Sequence, residues 1–209
     1  FNLTARLHKA TFGSGTSFGK TAFQDCFNLI AFIGTPNAYG LVKNCSALRV
    51  ACVTKGVPVY GELFRGCCSL RHVTGTNGNL YENYNFMGCQ ALEELDLDTT
   101  KVGQMSVHGC FALRSLRFTD ELNTILTQAM QNALSLVRVT LPSKVETIGA
   151  QAFANAGLKE VHILAETPPT LANSNAFPGG CTFYVPAASL EAYKTATNWS
   201  AYASRMVGE

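Results

Sequence analysis

"FRGCCSLRHV", residues 64 to 73, decides the fold once it is set against the rest of the chain. Read alone, Cys67 and Cys68 suggest metal ligands, a redox pair or half of a disulfide framework. Read in alignment, the stretch is one copy of a repeat. "FQDCFNLIAF" from Phe23, "VKNCSALRVA" from Val42, "FMGCQALEEL" from Phe86, "VHGCFALRSL" from Val107, "MQNALSLVRV" from Met130 and "FANAGLKEV" from Phe153 share its pattern. The pattern is apolar, any, Asp/Asn/Gly, Cys/Ala, any, small, Leu, any, any, apolar. The last copy is one residue short.

The leucine column is Leu29, Leu48, Leu70, Leu92, Leu113, Leu136 and Leu158, with successive spacings of 19, 22, 22, 21, 23 and 22 residues. "LHKATF" adds Leu7 a further 22 residues upstream. A mean near 22 residues lies within the leucine-rich-repeat range of about 20–29. After each leucine the chain reads L-x-x-apolar-x-apolar, a period of two that predicts a short strand with one buried face. The residue before the cysteine column is Asp25, Asn44, Gly66, Gly88, Gly109, Asn132 or Asn155. These types tolerate left-handed backbone, so a tight bend is expected in every coil. The leading apolar column (Phe23, Val42, Phe64, Phe86, Val107, Met130, Phe153) should fill the core opposite the sheet.

One such repeat cannot cover its own apolar face, and stacking supplies the cover. The expected fold class is an α/β solenoid: a right-handed leucine-rich-repeat coil with one parallel sheet of about nine short strands at roughly 4.8 Å spacing. "TFYVP" supplies the ninth strand, and the side away from the sheet should be irregular or short-helical. After Pro186 the spacing turns helical: Leu190 with Tyr193, then Trp199, Tyr202 and Met206, with Asn198 resembling an N-cap. A helical C-terminal cap whose aromatics seal the last turn is expected there; a carbohydrate platform is the other use for them. Residues 1–209 should form one domain, with repeats over 5–164, a last turn over 165–186 and the cap over 187–209.

The alignment reassigns the cysteines. Ala133 and Ala156 stand in register with Cys26, Cys45, Cys67, Cys89 and Cys110. A ligand or nucleophile would not become alanine on the next rung, whereas a small buried residue can. Zinc needs four ligands at one point, and the chain has no C-x-x-C pair. A Cys67–Cys68 disulfide would join Cα atoms about 3.8 Å apart, below the usual window of about 4.4–6.8 Å, and would form only with strain. Rung spacing alone leaves bridges between stacked cysteines open, although their side chains point the same way. Cys68 is at the variable position beside the column, Cys52 on the outward face of a strand and Cys181 before the last strand; these three are the expected reactive thiols.

Composition excludes several classes. The chain of 209 residues is 47% hydrophobic, only 14% charged, and carries a formal net charge of +2. That balance gives no electrostatic footprint for nucleic acid, and no apolar run suits a membrane helix. With Phe1 first and no signal pattern, the chain is expected to be a processed or trimmed form. His8, His72, His108 and His162 fall in four different repeats, and even the outward pair His72 and His162 would be about 19 Å apart. No nucleophile–base constellation or phosphate-binding glycine loop emerges; "FGSGTSFGK" lies in the recurring turn region. No catalytic, metal or cofactor residues are therefore assigned, and exposed thiols such as Cys52 or Cys68 are the one route to an enzyme.

The alternation places charged side chains on the outer sheet face. An apolar start (Ala31, Ile33, Val50, Cys52) is followed by acidic Glu93, Glu94 and Asp96, then basic Arg114, Arg117 and Arg138. These charges also fit a simply solvated face; if the face is functional, Ile33, Glu94, Asp96, Arg114, Arg117, Arg138 and His162 are the expected partner-binding residues, because solenoids bind through extended surfaces.

The recurring A-F-x-x-C-x-x-L with an upstream Ile-Gly, best preserved in "FGKTAFQDCFNL" and "VETIGAQAFANAGLKEV", resembles the BspA type of leucine-rich repeat, common in surface proteins of the Bacteroides group. The ending "TPPTL…AFPGGCTFYVPAASLEAYKTATNWSAYA" is also similar to that family's terminus. The middle copies "YGLVKNC", "YNFMGC" and "MSVHGC" depart from the Ile-Gly form. The resemblance implies a secreted or cell-surface, non-enzymatic module that adheres to host or cell-surface protein or glycan. A structural spacer within a larger surface protein is the alternative.

Overall fold

The computed structural model describes residues 7–13, 16–35, 38–53, 61–75 and 82–209. Strands follow the leucine column as its alternation requires: β1 Lys9–Thr11, β2 Ala31–Gly34, β3 Val50–Val53, β4 His72–Thr74, β5 Glu94–Leu97, β7 Ser115–Phe118, β9 Arg138–Leu141, β11 Glu160–Ile163 and β13 Thr182–Val185. Interleaved are two-residue strands β6 Lys101–Val102, β8 Thr124–Ile125, β10 Thr147–Ile148 and β12 Thr170–Leu171; β14, Met206–Gly208, closes the chain. All pairings are parallel.

The molecule is a parallel-strand solenoid, but its sheet is not continuous. The main column divides into β1-β2-β3-β4, β5-β7 and β9-β11-β13-β14. A fourth sheet, β6-β8-β10-β12, lies on another side of the coil, where an irregular or short-helical path was expected. Each of its strands puts one aliphatic residue into the core: Val102, Ile125, Ile148 and Leu171. The Ile-Gly motif is the end of this second strand: the N–H of Gly149 bonds to the carbonyl of Ile125 at 2.8 Å. Among the described residues, helix occurs only in the terminal segment: 3-10 turns at Ala187–Ser189 and Trp199–Arg205, and α1 at Leu190–Thr195.

The bend column behaves as its residue types require. Asp25, Asn44, Gly66, Gly88, Gly109, Asn132 and Asn155 all have positive φ, between 57° and 77°. A second left-handed column lies four residues earlier: Thr21, Gly40, Glu62, Tyr84, Met105, Gln128 and Gln151. Only Gly40 belongs to a type that adopts this region without strain. The compensation is inter-coil hydrogen bonding. In the coil starting at Gly40, the N–H groups of Gly40, Val42 and Asn44 bond to the carbonyls of Gly61, Leu63 and Arg65. The two left-handed residues and the apolar residue midway all aim their N–H along the stack, so the bends form a ladder as the strands do. Side chains reinforce it: Asn44 donates to Asp25 at 3.0 Å, and Asn155 to Asn132 at 3.2 Å. The buried Glu62 carboxylate bonds to Lys43 at 2.5 Å and to Arg65. Burial alone would raise this carboxyl, but hydrogen bonds from Lys43, Arg65 and Tyr39 outweigh it and hold it below the usual range.

The C-terminal seal is built from aromatics with satisfied polar ends. Trp199 is fully buried and its Nε1 donates to Pro169 at 2.7 Å; Tyr193 and Tyr202 hydroxyls donate to Ala165 and Ser174, each at 2.7 Å. Phe177 and Phe183 pack edge-on at 5.2 Å within the same cluster. These rings are interior, not a platform. Two details differ from the helical expectation. Asn198 is left-handed (φ 66°) and its side chain donates to the Leu171 carbonyl at 2.7 Å instead of capping a helix. Met206 belongs to β14, which adds to β13 and covers the last sheet edge.

Candidate partner-binding face

The cysteine column is buried throughout, and all eight cysteines are free thiols. It does more than fill space. The thiols of Cys45, Cys67, Cys89 and Cys110 donate to the carbonyls of Phe23, Val42, Phe64 and Phe86 on the preceding coil, at 3.0, 3.1, 3.1 and 3.2 Å. Burial pushes the Cys45 and Cys110 thiols up to about 12 and those of Cys67 and Cys89 well above the ordinary thiol range. Such groups stay protonated and inert. Cys52 is exposed and Cys68 half-exposed, as expected, but Cys181 is buried and its thiol is likewise pushed up by burial. Its reactivity is therefore not that of a surface thiol.

Strand alternation turns the expected contact residues outward, except for Arg114, which lies just before β7, and register decides which meet. Ile33 lies between Thr11 and Cys52 on neighbouring strands. Asp96 pairs in register with Arg117, and the two form a bidentate ion pair at 2.7 and 3.1 Å. Glu94 is exposed beside Ser115. Arg138 lies next to Glu160 and bonds it through Nε at 2.6 Å. His162 stacks on Tyr184 with centroids 4.6 Å apart and meets Glu209 at 3.0 Å. The acidic centre and basic stretch are thus partly one set of cross-strand pairs. His72 and His162 lie on strands of different sheets.

Where the β7–β9 ladder is interrupted, a groove of about 330 Å³ opens, lined by Arg114, Arg117, Arg138, Asp120 and Leu164. Arg117 and Arg138 pair away from this gap, with Asp96 and Glu160 on opposite sides. Like charges close across strands are unfavourable, and this arrangement relieves them. Arg114, just before β7, has no ion-pair partner among the described residues. No group of three or more His, Cys, Asp or Glu among the described residues is placed to hold a metal ion. No helix among them is long and apolar enough to cross a membrane.

The geometry defines a leucine-rich-repeat-like, parallel-strand solenoid. The family model of the BspA type leucine rich repeat region matches six copies over residues 57–180, more than half of the chain, and the chain belongs to that non-catalytic family. Among solved structures, it is similar to a leucine rich cell surface protein of Faecalibacterium prausnitzii (18% identity, TM-score 0.64, covering 78% of this chain and 49% of that one). It is also similar to a leucine-rich repeat protein of Bacteroides ovatus (18% identity, TM-score 0.49, 90% and 63% covered). A third is the pneumococcal vaccine antigen PcpA (15% identity, TM-score 0.49, 91% and 68% covered). At these identities the likeness is one of fold. The chain spans about half the length of the Faecalibacterium protein. The Faecalibacterium protein lies outside Bacteroides, so the likeness is not confined to that group. No curated protein matches the chain.

Proposed function

We propose that this chain is an adhesion-type binding module acting outside the cell or at its surface, as one repeat domain over residues 1–209. Its outer sheet face, through Ile33, Glu94, Asp96, Arg114, Arg117, Arg138 and His162, contacts a host or cell-surface protein or glycan. One observation carries the reading: all of these residues but Arg114, which lies just before β7, are on strands whose inner residues are locked in the core, so the backbone of the face is pre-organised for binding. The likeness to a cell surface protein of Faecalibacterium supports the location. The test is a binding screen against extracellular-matrix proteins and glycans, with Arg114→Glu plus Arg117→Glu beside wild type. Loss of the captured partner is expected. Unchanged binding removes the basic stretch as the site, and an empty screen favours the spacer.

A further inference from the structure

A second surface lies beside the sheet face. The residue directly after each column leucine leaves the core before its strand begins. The N–H groups of Arg49, Arg71, Glu93 and Arg114 bond to the carbonyls of Ile30, Arg49, Arg71 and Glu93 respectively. These residues therefore occupy consecutive rungs, about 4.8 Å apart. Lys159 extends the same column through its bond to Val137. From Ile30 to Lys159 the column holds four basic residues, the acidic Glu93, and two apolar ones, Ile30 at its start and Val137 between Arg114 and Lys159.

The other described arginines are tied down. Arg65 bonds Glu62, Arg117 bonds Asp96, Arg138 bonds Glu160, and Arg205 donates to the carbonyls of Gly179 and Cys181. The three left are Arg49, Arg71 and Arg114, all on this column. Arg71 meets Glu93 only at 3.9 Å, both being solvent-accessible, and such a pair contributes little. Between the first two rungs lies a groove of about 530 Å³ bordered by Arg49, Cys68, Ser69, Arg71 and His72.

We propose that this column binds a linear sulfated glycan lying along the stack, with the Arg49–Arg71 groove as its centre. Guanidinium forks suit sulfate oxygens, and Ser69 and His72 offer polar contacts to sugar hydroxyls. Charges repeating along one axis suit a polymer with repeating anions better than a single head group. An acidic peptide fits less well. The column's backbone groups are consumed between rungs, so no strand can be added. Val50 and Ala91 are the groove's only apolar borders, which leaves no pocket for an anchoring side chain. The column also lacks aromatic residues on which nucleic-acid bases would stack. Only Arg114 is shared with the sheet face proposed above.

The experiment is salt elution of the full chain from immobilised heparin, with affinity measured at an ionic strength of about 0.1 M. Wild type should bind, and Arg49→Glu plus Arg71→Glu should weaken binding by about tenfold or more. Lys101→Glu plus Lys144→Glu makes the same charge change near the second sheet and should leave binding intact. Heparin should also slow alkylation of Cys68 but not of Cys52. Failure of wild type to bind, equal losses in both double variants, retained affinity for desulfated heparin, or equal competition by polyglutamate would each overturn the proposal. Arg114→Glu plus Arg117→Glu, which tests the sheet face, leaves the central groove in place and keeps the two readings separable.

Discussion

The thiol of Cys67 shows how a residue's neighbours across the stack decide its chemistry. It is buried, donates to the Val42 carbonyl and is held protonated by desolvation. Thiol titration of the native protein should therefore find two fast thiols, Cys52 and Cys68, with the other six reacting only on unfolding. More than two fast thiols would mean that the column is not packed as described. Glu62 offers a second test. Its folded-state ionisation is depressed, so its contribution is complete above the unfolded value of about 4.3 and is lost as pH falls through the folded value. Glu62→Gln should lower the urea midpoint at pH 7, and its gap from wild type should narrow under acid below that value. A gap independent of pH would assign the loss to something other than the carboxylate.

At the scale of the element, the short last repeat is explained by one glycine. "FANAGLKEV" drops a residue between the cysteine and leucine columns, and Gly157 fills the shortened link. A Cβ on Gly157 would lie 2.1 Å from the Leu134 carbonyl oxygen, backbone that cannot swing aside. Gly157→Ala should cost about 2 kcal/mol in urea unfolding. Gly179→Ala, where a Cβ meets nothing within 4 Å, should be near neutral. Equal effects would show that the close approach is relieved by small shifts. The strands and the bends after them were legible because their determinants are local: alternation in one case, Asp/Asn/Gly in the other. The second left-handed column was not, because Thr21, Glu62, Tyr84 and Gln151 carry no residue-type signal. Their conformation is imposed by the bonds to the adjacent coil.

For the whole molecule, the C-terminal seal is the point where a stack of coils meets water. Trp199 contacts Phe177, Phe183 and Tyr193 at centroid distances of 5.8, 5.9 and 5.4 Å, joining the terminal segment to the last coils. Trp199→Ala should cost about 3–5 kcal/mol. Because each coil contacts only its neighbours, hydrogen-exchange protection should fall first in Glu160–Ile163 and Thr182–Val185, before Glu94–Leu97. Simultaneous loss along the whole stack would show a more cooperative fold. The sequence by itself determined the repeat, its period, the buried columns, the bend positions and the outward residues, because each is written in residue type at fixed spacing. Only the tertiary structure decided where the ladder breaks, that a second sheet forms, that Asp96 and Glu160 tie down Arg117 and Arg138, and that Arg49, Arg71 and Arg114 are left together. Those outcomes depend on which residues adjacent coils bring face to face, and that register exists only once the coils have stacked.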